Sequence, residues 1–258
     1  MKKILNYLWR AWFIFLAFLF ILIFGLPVIL LSIKESHFKY AYIFIRWWCI
    51  ILFYGMGFRY ELIKKTERSI DKKRQYIFIS NHTSIIDIML MSVLHPHHPL
   101  CFIGKKELAN IPVFSIIYKR ICILVDRKDP RSRADVYRRA AEKMNHGQNI
   151  VIFPEGGVPD DSSIILDTFK DGAFILSTKH DFPIAVYTFA GLKEMFPFDY
   201  SKGFPGKVQV YLNEILEPSA NTQELKLISH NEIKKTLTEY YETCLLYTSD
   251  AADEEDSV

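Results

Sequence analysis

An α/β domain, built on a mostly parallel mixed sheet flanked by helices and preceded by a two-helix membrane anchor, is the fold class this sequence predicts. Three observations carry that prediction. Residues 11–33 form a stretch of 23 without a charge, which meets the about 20 apolar residues needed to cross a bilayer core. Beyond residue 58, short β-rich runs alternate with stretches of helical spacing, the pattern of strands joined through helices. Several of those runs end in a basic or glycine-bearing segment, as strand ends that line a site do in open α/β sheets.

The first apolar run has a basic start in Lys2, Lys3 and Arg10. A secretory signal starts the same way, but the apolar core here exceeds a signal's about 7–15 residues and no small-x-small cleavage site follows. Gly25 and Pro27 permit a kink or a re-entrant bend. A second run, residues 47–58, is too short to span alone, and joining it to residues 40–45 would bury Arg46. Lys64 and Lys65 follow it, so a hairpin, shallow or spanning twice, is expected with both flanks cytoplasmic. Residues 1–58 are therefore assigned to the anchor and 59–243 to the α/β domain.

Strands are expected at Phe58–Ile63, Gln75–Ser80, Leu100–Ile103, Cys122–Val125, Asn149–Phe153, Pro183–Thr188 and Lys207–Leu212. Helices are expected at Ile85–Leu94, Val113–Tyr118, Ser132–His146, Gly172–His180 and Thr222–Thr243. In the third of these Ala134, Tyr137, Ala141 and Met144 keep helical spacing, and Gly147 stands where the residue after a helix belongs. Four cysteines at 49, 101, 122 and 244 make no CxxC pair and no disulfide framework, which suits a reducing compartment. Residues 244–254 resemble translated read-through of a sequencing adapter, so 244–258 are treated as a non-native tail. That tail holds five acids and no base, so the net charge of +3 becomes +8 without it. A basic chain with an apolar anchor suits an anionic membrane surface or anionic substrates. No nucleic-acid partner is expected.

Four segments carry chemistry. Asn81 to Asp87 places His82 five positions before Asp87, just after an expected strand. A carboxylate fixes an imidazole's tautomer and stabilises the imidazolium, which makes a general base. Taken alone, Asn81 and Thr83 would equally cap a helix carrying Asp87 on its exposed side. Lys105, Lys106 and Glu107 end one expected strand, and Asp126-Arg127 end another; lysine and arginine there suit a phosphate. Phe153-Pro154-Glu155-Gly156-Gly157 ends a third, where glycines let backbone amides approach a ligand and Glu155 would accept from a substrate hydroxyl. Pro183 to Thr188 reads as a core strand.

In this order the four segments resemble the 1-acylglycerol-3-phosphate acyltransferases and their glycerolipid acyltransferase relatives, over residues 81–191. Asn81, His82 and Asp87 match the family's NHxxxxD motif; Lys105 to Leu108 with Asp126-Arg127 match the second; Phe153 to Gly156 match FPEG, followed by Phe169-Lys170-Asp171-Gly172-Ala173; Pro183 leads the fourth. The resemblance implies His82 and Asp87 as catalytic residues, and Asn81, Lys105, Lys106, Glu107, Arg127, Phe153, Pro154, Glu155, Gly156, Gly157 and Lys170 as substrate-binding. It also implies an acyl-CoA or acyl carrier protein donor, a lysophospholipid acceptor, no metal or other cofactor, and a site facing the cytoplasm at the cell membrane. One departure stands out. The family often continues FPEG with threonine-arginine-serine, whereas this chain has Gly157-Val158-Pro159. That keeps glycerol-3-phosphate or a lyso-ornithine-type lipid open as acceptor. A lipid hydrolase would use the same base with water, and a non-catalytic membrane module would share the anchor.

Overall fold

The computed structural model describes residues 2–111, 114–159, 161 and 163–255. Its elements are helices α1 (Lys2–Leu31) and α2 (Phe38–Gly55), strands β1 (Arg59–Lys64) and β2 (Ile77–Ser80), α3 (Ile86–Leu94), β3 (Leu100–Lys105), α4 (Phe114–Ile121), β4 (Cys122–Val125), α5 (Pro130–Asn145), β5 (Asn149–Ile152), α6 (Gly172–His180), β6 (Ile184–Ala190), a one-turn α7 (Leu192–Met195), β7 (Lys207–Leu216) and α8 (Thr222–Glu255). All seven expected strands are present. The expected helices are present too, except that Val113, the expected start of the second, lies outside the described residues; Asp129 and Pro130 start α5 two residues early, the Asp129 carboxylate accepting from the Arg131 amide and proline occupying the first turn.

The sheet has the order β1-β7-β6-β2-β5-β3-β4. Strands β6, β2, β5, β3 and β4 run parallel, while β7 is antiparallel to β6 and β1 is parallel to β7. The carboxyl ends of five strands therefore share one edge, and the site loops leave from it.

Both faces of the sheet are covered, which is why its inner strands read as unbroken apolar runs. Phe78, Val151, Tyr187, Val210 and Leu212 face α2 and α3. Ile77, Ile79, Ile150, Ile184 and Val186 face α5, α6 and α8. The alternation within β2, Phe78 to one side and Ile77 and Ile79 to the other, follows from the two-residue strand period.

Two N-terminal helices pack against each other, but the expected two-helix membrane anchor is cut back to one candidate: α2 belongs to the core of the domain. In α2, Phe38, Ala41, Tyr42, Ile45, Cys49, Leu52 and Phe53 are buried, and they join the same core as β2 and α3. No gap in packing marks residue 58. Helix α1 runs unbroken through Pro27. Gly25 serves close approach rather than bending: a Cβ there would sit 3.2 Å from Ile117 of α4. The outer side of α1 exposes Ile4, Leu8, Phe15, Leu22, Leu26 and Leu30, each more than half accessible. Among the described residues α1 is the one helix long and apolar enough to cross a membrane.

Phe174 of α6 is wholly buried between the sheet and α5 and α8. Phe174→Ala should lower the unfolding free energy by about 3–5 kcal/mol, seen as a lower denaturant midpoint with little change in slope.

Candidate active site

His82 leaves β2 at the shared edge, and Asp87 falls in the first turn of α3. The loop between them is short, so its own amides turn inward. Asp87 Oδ2 accepts from His82 Nδ1 (2.9 Å), Thr83 N (2.7 Å) and Ser84 N (2.9 Å). The carboxylate is fully buried, and its Oδ1 has no hydrogen-bond partner among the described residues. Asp87 is thus not on an exposed helix face. Three donors and a helix N-terminus hold its charge. Because an ionised carboxylate can only accept, Nδ1 carries the proton and Nε2 keeps the lone pair. The imidazole is 18% accessible and stacks on Phe153, with ring centroids 4.2 Å apart and 16° between planes.

Asn81 and Glu155, expected to bind substrate, are used internally. Asn81 pairs both ways with the Phe189 backbone: its amide nitrogen donates to the carbonyl (2.9 Å) and its oxygen accepts from the N–H (2.8 Å). This fastens the end of β2 to β6. Glu155 Oε1 accepts from His82 N (2.7 Å) and Oε2 from Asp167 N (3.0 Å). A buried carboxyl with both oxygens engaged braces the histidine's backbone and has little left for a substrate hydroxyl. Asp167 and Phe189 contribute main chain only, so no side-chain motif could mark them.

The remaining predicted residues sort by distance from the pair. Gly156 has φ +78°, and the Lys170 ammonium occupies the space a side chain there would need. Lys170 N also donates to Pro154 O (2.8 Å). The Arg127 guanidinium comes within 3.5 Å of where a Cβ on Gly157 would be. Arg127 and Lys170 therefore converge on the glycine turn beside His82. Lys106 instead pairs with Asp126 (3.7 Å), and Lys105, the last residue of β3, and Glu107 just beyond it are exposed. A small crevice lined among others by Thr83, Glu155, Asp161, Ile164, Ile165 and Lys193 opens beside the pair.

The loop is linked to the anchor helix through the Phe196 segment. Ser84 Oγ donates to Phe196 O (2.8 Å). Arg10 of α1 lies 3.5 Å above the Phe196 ring and donates to Pro197 O (2.7 Å) and Lys202 O (3.0 Å). Sequence spacing gave no sign of this contact across the chain.

Burial raises the Glu155 carboxyl above its ordinary 4.5, outweighing the two amides that favour its ionised form. The native state then holds this proton to higher pH than the unfolded chain does, so stability falls as pH climbs from about 4.5 through the raised value. Glu155→Gln removes that dependence. Urea unfolding across this range should show the wild-type stability declining relative to the variant as pH rises.

A family model described as Acyltransferase matches residues 61–189. The chain is 33% identical over 109 residues to a 1-acyl-sn-glycerol-3-phosphate acyltransferase of Helicobacter pylori, covering 42% of this chain and 45% of that protein. It is 27% identical over 119 residues to a lyso-ornithine lipid O-acyltransferase of Pseudomonas aeruginosa, covering 46% and 43%. The matches span about half the length of the curated relatives found first. The crystal structure of the 1-acyl-sn-glycerophosphate acyltransferase of Thermotoga maritima superposes with a TM-score of 0.74 at 25% identity, over 93% of this chain and 98% of that one. With half its length matched by the family model, carrying His82, Asp87 and the Phe153–Gly156 turn, the chain belongs to the acyltransferase family.

Proposed function

We propose that this protein transfers an acyl chain from acyl-CoA or acyl carrier protein to the free hydroxyl of 1-acylglycerol-3-phosphate, forming phosphatidic acid. The observation that carries this is the His82–Asp87 pair, in which the buried carboxylate holds Nδ1 and leaves Nε2 as the basic nitrogen. Nε2 takes the hydroxyl proton as that oxygen attacks the thioester carbonyl. The tetrahedral intermediate collapses, the carbon–sulfur bond breaks, and the imidazolium returns the proton to the departing thiolate. Asp87 stabilises the imidazolium throughout.

Direct transfer fits the surroundings. The Ser84 hydroxyl is committed to the Phe196 carbonyl, and Cys49, Cys101 and Cys122 are buried, so neither Ser84 nor these thiols is free to form an acyl-enzyme. Arg127 and Lys170 at the glycine turn suit the acceptor's phosphate, and Ile164 and Ile165 give the adjoining crevice an apolar wall.

The exposed face of α1 supports attachment to a bilayer, since an apolar surface of that extent is not left in water. Because α1 packs along the domain, an in-plane seat in one leaflet of the cytoplasmic membrane explains the face better than a perpendicular span. The acceptor then enters from the lipid while the donor arrives from the cytoplasm.

A second acceptor reading has its own support. Val158 stands where the family often has arginine, and the similar Pseudomonas protein is named for lyso-ornithine lipid.

His82→Ala should lower turnover by about 10²–10⁴-fold or more while vesicle association persists; near-wild-type product from that variant would sink the mechanism. An acceptor panel with purified protein should rank lysophosphatidic acid first. Arg127→Ala should raise its KM by about tenfold or more, the loss of one charge-assisted contact, with a smaller effect on any zwitterionic acceptor. A panel led by lyso-ornithine lipid, or release of free fatty acid alone, would replace the proposed substrate or reaction.

A further inference from the structure

A second site lies at the opposite edge of the sheet from His82. Helix α3 runs down from the catalytic loop to Leu94, and residues 95–99 turn beneath the sheet before β3 rises. Between this turn and the start of α2 is an open cleft of about 430 Å³, lined among others by Lys39, Tyr40, Ile43, Arg46, Trp47 and His97. Three of these side chains can carry positive charge, and no carboxylate lines the cleft. Glu35, the acid nearest in sequence, is taken by Lys143 (2.6 Å) and Gln148 (2.8 Å).

Arg46 is held in place at the cleft: one terminal nitrogen donates to Val93 O (3.0 Å). Its guanidinium and the Lys39 ammonium give the cleft a positive wall with no acid to neutralise it, which suits an anion. The outer wall narrows the choice of anion. Tyr40, Ile43 and Trp47 lie three and four residues apart on α2, so they form one stripe, and they are 48%, 52% and 53% accessible. Exposed tyrosine and tryptophan beside lysine and arginine is the composition of a bilayer–water interface. A soluble phosphate would leave that stripe uncovered, whereas a lipid covers it with its chains.

We propose that this cleft binds the phosphate headgroup of an anionic phospholipid, with Lys39 and Arg46 on the phosphate and the acyl chains against Ile43 and Trp47. The inference rests on the apolar face of α1 seating in a membrane but not on the acyl-transfer reading. The site would give the protein a preference for anionic bilayers independent of its acceptor.

Flotation of the full chain with vesicles of phosphatidylcholine, alone or with phosphatidylglycerol, tests this. Wild type should bind both and prefer the anionic ones. Lys39→Glu with Arg46→Gln should reduce that preference by about 25-fold or more, each basic group near the surface being worth about fivefold, while neutral binding persists. Lys179→Glu makes the same charge reversal at an exposed position near the end of α6 and should keep the preference. Lys39→Glu alone, on an exposed side chain, gives the same direction where melting shows the double variant to be unfolded. The cleft is overturned if the folded variants keep the wild-type preference, or if Lys179→Glu lowers it as far as Lys39→Glu does. Wild type that binds no vesicle overturns the membrane seat as well, whereas wild type that binds without preference overturns the cleft alone.

Discussion

A carboxylate sealed from water must be met by donors, and Asp87 meets three within its own loop. That requirement organises the site. The Thr83 and Ser84 amides reach Oδ2 only if the chain turns tightly between β2 and α3, and the same turn delivers the imidazole to the same oxygen. Glu155 answers from across the edge by taking the His82 amide. One histidine is thus held at its ring by one buried acid and at its backbone by another. Their roles differ because their partners differ: Asp87 acts on a group that changes charge, Glu155 on one that does not.

Strand direction explains how distant segments reach this loop. Five parallel strands present their carboxyl ends together, so β2, β3, β4 and β5 each send a candidate segment to one rim. The antiparallel β7, with β1 outside it, ends the parallel run. Parallel strands require covered faces, and the hairpin supplies part of that cover through α2. The segment that reads as an appendage in sequence is therefore structural to the sheet.

Much of this was legible in the residues. Strand period and apolar runs located every strand, and glycine after Met144 located the end of α5, where Gly147 has φ +82°. The His82–Asp87 pairing was legible because side-chain identity and spacing carry it. Asn81 and Glu155 were legible as belonging to the site but not in their roles, since both act on main-chain groups of Phe189, His82 and Asp167 that any residue would supply. The one-turn α7 and the extra length of β7 were not foreseen. The first is too short to show a period, and the second lies where Asn213 and Glu214 interrupt the apolar pattern, with Asn213 satisfied by Thr188, Thr236 and the Glu232 carbonyl.

The clamp of Arg10 on residues 196–202 makes the first helix more than a tether. Phe196 lies beneath that guanidinium and offers its carbonyl to Ser84, whose amide lies on the Asp87 carboxylate. Trimming α1 to obtain a soluble fragment would therefore strip away part of the scaffold around the base. An inactive truncate would say little about whether the enzyme needs lipid, because removing the first helix disturbs chemistry and location together.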